Sequence, residues 1–127
     1  MSIFDKMMET DFQKLAEKEQ AKMEIKRLSR KLGEPFVVTC APISEKSIAY
    51  VGEMANSFEE QKTYTILECC RVEGKRFNDK AFLEWTGAMT EAEVVKKLFL
   101  PGEIQKIYSK VSDLSGYGKD AVAELKN

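Results

Sequence analysis

The side chains here that could do chemistry are three cysteines, a few paired carboxylates and a short run of bases; histidine is absent from the 127 residues. Without it the usual general base, proton shuttle and commonest metal ligand are missing, and neither a Ser–His nor a Cys–His pair can form within one chain. Cys69 and Cys70 are adjacent. On a helix, neighbours point about 100° apart, which is poor geometry for chelating one ion. Cys40 is far away in sequence and no fourth ligand accompanies it, whereas a structural zinc site wants four. The thiols therefore read as small apolar core residues. Glu59 with Glu60 and Glu91 with Glu93 lie at a polar break and a helix start, where solvated acids are expected rather than catalytic ones. No phosphate-binding loop is present. Lys22, Lys26, Arg27, Arg30 and Lys31 form the basic run, diluted by Glu24 and Glu34 and lacking an RNA-binding aromatic motif, so it reads as a solvated face. The expectation is a protein that is not an enzyme, with no cofactor, no metal site and no nucleic-acid partner.

What remains is binding. Lys and Arg number 20 against 21 Asp and Glu, a net charge of -1, so no global field draws in nucleic acid or anionic lipid. Near-neutrality also makes association with a partner or a second copy easier. The length suits one domain with one core. No secretory leader or long apolar run is seen, and the odd cysteine count argues against a disulfide scaffold. The expected location is a reducing cytoplasm.

The elements follow from periodicity and caps. Phe4, Met7, Met8, Phe12, Leu15 and Ala16 make one stripe, predicting an amphipathic helix from a Ser2 cap to about Gln20. Its Met-rich face suits varied apolar partners, or else packs on the protein's own core or on a second copy. Met23 and Ile25 alternate with charges, which fits a strand, although a continuing helix fits nearly as well. Leu32-Gly33-Glu34-Pro35 is a turn, and Phe36–Cys40 is β-branched and aromatic, a strand. The two strands would form a hairpin with an intervening loop, supported by helices. Ser44 caps a helix through Ile48, Val51, Met54 and Ala55, with Phe58 extending its stripe. Glu59–Lys62 reads as a polar break before a short helix over residues 64–72, which Gly74 ends. Asn78 caps a helix that closes at Gly87, and Thr90 with Glu93 forms a capping box for the next. Residues 119–127 are expected to be a frayed or partner-ordered tail.

The last helix has both ends written in. Pro101 suits the first helical position, Gly102 follows, and Glu103 lies in the first turn beside free N–H groups. Ile104, Ile107, Tyr108, Val111 and Leu114 share a face, and Gly116 can adopt the left-handed conformation that ends a helix.

The run Val94-Val95-Lys96-Lys97-Leu98-Phe99-Leu100-Pro101-Gly102-Glu103-Ile104, then a helix, then Leu114-Ser115-Gly116-Tyr117-Gly118, resembles the C-terminal signature of the XkdN-like phage tail assembly chaperones. The upstream order is similar: Arg27-Leu28-Ser29, Gly33–Val38, a helix, then Phe77-Asn78-Asp79-Lys80. The resemblance spans roughly residues 22–118 and favours a strand over a helix at residues 22–28. It departs after the central helix, where members often carry proline and this chain has Val72-Glu73-Gly74-Lys75.

The combined expectation is an α+β, predominantly helical protein. It has an N-terminal amphipathic helix (1–21), a domain at 22–118 with a small hairpin and short capped helices, and a tail (119–127). The resemblance implies a chaperone in the host cytoplasm that binds the tape measure protein, keeps it soluble and assists the tail tube protein to polymerise around it. A structural or scaffold subunit of a tail-like particle is the alternative, and a nucleic-acid-binding regulator a more distant one. Candidate partner-binding residues are Phe4, Met7, Met8 and Phe12 on the N-terminal stripe and Ile104, Ile107 and Tyr108 on the last helix, although a helical face of this kind is more often core than docking site.

Overall fold

The computed structural model describes residues 2–126, so expectations touching Met1 and Asn127 lie outside the described residues. In chain order the elements are α1 (Ile3–Glu9), α2 (Phe12–Ala16), β1 (Ala21–Glu24), α3 (Lys26–Leu32), β2 (Val37–Cys40), α4 (Glu45–Met54), α5 (Phe58–Cys69), β3 (Cys70–Arg71), α6 (Lys80–Thr86), α7 (Glu91–Leu98) and α8 (Pro101–Leu114). The fold is α+β and mostly helical, as the sequence predicts.

The N-terminal segment is not one helix. Thr10 is extended at the end of α1, and the Asp11 side chain accepts from the Gln13 N–H to start α2. Two capping residues in a row offer the backbone local hydrogen bonds that compete with the helix, so it breaks there.

Residues 22–28 are both strand and helix. β1 pairs antiparallel with β2, Ala21 opposite Cys40 and Glu24 opposite Val37. The ladder runs one step further, with the Ile25 N–H donating to the Phe36 carbonyl at 2.9 Å. Ile25 is then the cap residue of α3, which closes at Gly33 with φ +76. The strands are thus joined through a helix, not a loop. A third strand that the sequence reading missed, β3, continues directly from α5 and pairs with β2, giving the order β1-β2-β3.

The central boundary also moves. α4 ends at Met54, and Ser57 starts α5 by accepting from the Glu60 N–H, so Phe58 begins a new helix. Glu59–Lys62 are helical, and Lys62 lies over the Phe58 ring at 4.8 Å while pairing with Glu59 at 3.3 Å. Glu73 and Gly74 form a left-handed turn within the Val72–Lys75 bridge. Asp79, not Asn78, caps α6. At α7, Glu93 accepts from the Met89 N–H instead of from that of the Thr90 cap.

α5 is the spine of the core. Ile66, Leu67 and Cys69 meet Val38 and Cys40 of the sheet, Val94, Val95 and Leu98 of α7, and Ile107 and Val111 of α8. Phe77 closes this core, fully buried, with ring centroids 5.8 Å from Phe99 and 5.4 Å from Phe82. Residues 119–126 form neither helix nor strand and lie exposed.

Candidate interaction surface

Two apolar surfaces lie outside this core. The first is the N-terminal arm. α1 and α2 contain no buried residue, and neither packs extensively on another element. Phe4 is 62% exposed, Met8 62% and Phe12 71%, with Met7 also exposed. Of the alternatives the stripe allowed, packing on the protein's own core is therefore ruled out within this structure. An isolated helix this short is marginal in water, so apolar contacts are needed to hold the arm in shape.

The second surface is a groove of about 610 Å³ between α4, α5 and α8. Ile48, Val51 and Gly52 of α4, with Ala55 just past its end, form one wall, and Tyr108 and Val111 of α8 the other. Tyr108 is held edge-on to Phe58 at 5.9 Å, with Gln61 donating to its hydroxyl at 3.4 Å. The Leu114–Gly118 motif builds the end of the groove. The Ser115 Oγ accepts from the Ile43 N–H at 2.9 Å and donates to the Val111 carbonyl at 2.6 Å, tying α8 to the loop before α4. Gly116, at φ +87, turns the chain so that Tyr117 lines the groove.

The candidate residues thus separate. Phe4, Met7, Met8 and Phe12 are on the open arm. Tyr108 lines the groove. Ile104 is half-buried against the core, and Ile107, 1% exposed, is inside it, closed to any partner of this folded form. Sequence reasoning missed the wall of α4 as a surface. The available signal was Gly52, a helix breaker placed mid-helix, where a added Cβ meets nothing within 4 Å.

A polar clamp fixes α8. The Arg27 guanidinium donates to both carboxylate oxygens of Glu103, at 3.1 and 2.9 Å, and to the Leu98 carbonyl at 2.8 Å. Glu103 in turn accepts from the Leu100 N–H at 2.8 Å, which completes the start of α8 behind Pro101. The hydrogen bonds from Arg27 hold the Glu103 carboxyl below its ordinary range and raise Arg27 further. Arg27 is therefore a structural ion-pair partner, not part of a solvated basic face. Lys22, Lys26, Arg30 and Lys31 do stay exposed.

The cysteines are all free and buried. Cys40 and Cys70 face each other across β2 and β3 with sulfurs 3.7 Å apart. Burial pushes the Cys69 thiol up to about 12, and Cys70 is raised by the hydrogen bond that its own thiol donates to Cys40, so both are held as neutral thiols. Among the described residues no three His, Cys, Asp or Glu side chains cluster to hold a metal, and no helix is long and apolar enough to cross a membrane.

Against known proteins, the model of the phage XkdN-like tail assembly chaperone family matches residues 4–126, taking in the arm and the tail as well as the folded body. No curated protein and no solved structure matches the chain. With an exposed apolar arm, an apolar groove and a family model matched over nearly its whole length, this chain belongs to the XkdN-like phage tail assembly chaperones.

Proposed function

We propose that this protein binds the tape measure protein of a phage tail in the host cytoplasm, keeps it soluble, and releases it as tube subunits polymerise around it. The observation that carries this reading is that the chain leaves two apolar surfaces uncovered, the stripe of Phe4, Met7, Met8 and Phe12 and the groove walled by Ile48, Gly52 and Tyr108. A long helical chain with uncovered apolar stripes aggregates while it waits for its tube. A groove between helices takes such a stripe by the helix-in-groove mode, and flexible methionines on the arm adapt to its varied side chains. Holding and release need only mass action: the chaperone binds the unassembled chain and loses it when tube contacts compete.

The test is co-expression with the tape measure protein encoded alongside, followed by affinity capture through this chain. A soluble complex, with tape measure that precipitates when expressed alone, supports the reading. If tape measure stays out of the captured material and its solubility is unchanged, the reading fails. Recovery of this chain from finished particles would then favour a structural subunit.

A further inference from the structure

The arm and the groove are complementary surfaces on one chain, and in the single chain neither is covered. We infer that the free protein is a two-fold dimer in which the arm of each copy lies in the α4–α5–α8 groove of the other. This concerns the chain alone and does not depend on tape measure binding.

Three observations carry it. The first is position. Ala21 is fixed opposite Cys40. Ahead of it, Glu17, Lys18 and Glu19 line one shallow depression with Pro42, Lys110 and Leu114. The next residues along, Ile43 and Ser115, line the groove. The arm therefore leaves the body at the end of the groove. Its root is held in a direction that leaves α1 and α2 clear of their own body. A two-fold partner placed there receives this arm and returns its own, an isologous exchange.

The second is area. Phe4 and Phe12 can bury ~150–250 Å² each. With Met7, Met8 and Leu15 one arm covers roughly 400 Å². Two arms laid on two bodies remove roughly 800 Å² of their own surface from water, and the surfaces they cover bring the total towards the ~1,200 Å² at which standard stable interfaces begin. The net charge of -1 sets no repulsion against pairing.

The third is shape. Gly52 and Ala55 leave the α4 wall low, and the space above Gly52 is open. A glycine in a helix interior is unfavourable on its own account, and a closely approaching helix gives it a use.

Sedimentation equilibrium of the full chain over a wide concentration range tests this. The expected mass is twice the 14.5 kDa of the chain. The double substitution Phe4→Asp and Phe12→Asp, which alters exposed side chains only, should yield monomer. So should Gly52→Phe, which fills the groove and leaves the arm intact. Circular dichroism should show both variants folded. A wild-type monomer at every concentration overturns the proposal, whether its arm is free or folded onto its own groove. So does a dimer that survives both substitutions, because its contact lies elsewhere.

Discussion

Arg27 of α3 and Glu103 of α8 stand 76 residues apart in sequence and meet through a two-pronged ion pair, with the third arm of the contact on the Leu98 carbonyl. One guanidinium thereby joins the end of α7, the start of α8 and the helix that links β1 to β2. The pair sets where α8 enters the fold, and α8 is a wall of the groove.

Loss of the clamp should destabilise the fold without touching the arm. Glu103→Ala and Arg27→Ala should each lower the Tm, because each removes the pair and also a backbone partner, the Leu100 N–H losing its acceptor in one and the Leu98 carbonyl its donor in the other. The double variant should lose less than the two single losses combined, since both remove the same contact. Thermal melts of the three variants read this directly. Strict additivity would show that the pair contributes nothing as a pair.

The same carboxylate gives a pH dependence. Its folded value lies below the ordinary 4.5 because Arg27 and the Leu100 N–H bind the charged form. The unfolded chain therefore takes up this proton first as pH falls. The stabilisation is fully present above the ordinary carboxylate range and is lost as pH drops through the depressed folded value. Urea midpoints from neutral pH to pH ~3 should fall more steeply for the wild type than for Glu103→Gln, which has no group to titrate at that site.

Phe77 predicts a large packing effect. It is fully buried between Phe82 and Phe99. Phe77→Ala should cost ~3–5 kcal/mol, the range for truncating a buried aromatic, measured as a fall in the urea midpoint at unchanged slope.

The thiols should be silent in the native protein. Cys40 and Cys70 are fully buried and Cys69 nearly so, and the thiolate is the reactive form. A disulfide dye should react slowly with the folded chain, then with all three groups once urea unfolds it.

The ends of helices were legible because capping is local. Pro101, Glu103 and Gly116 mark α8, and Ser44 and Thr90 mark α4 and α7, each within a few residues of the bond it makes. The break at Thr10-Asp11 uses the same local chemistry, but the continuous apolar stripe through Phe12 masked it. α5 was obscured for another reason. Its start is polar because Lys62 covers itself with Phe58 and Glu59, so the apolar pattern begins a turn late. β3, at two residues, is too short to carry a period of its own; its pairing with β2 creates it. Long-range contacts left no local trace. Nothing around Arg27 tells of Glu103, and nothing around Ile48 shows that α8 will stand opposite. That Ile107 is core and not surface is hidden for the same reason: periodicity gives a face but not its neighbour.

The most direct measurement is the light scattered when unfolded tape measure protein is diluted into buffer with increasing amounts of this chain. Wild type should suppress scattering and saturate at a fixed ratio. Phe4→Asp with Phe12→Asp should stay folded by circular dichroism, since both side chains are exposed in the single chain, and lose most of the suppression. Ile107→Asp is the contrasting control, since its site is core and it should unfold the chain. Scattering that the wild type leaves unchanged, or that the folded arm variant suppresses equally well, would contradict the account.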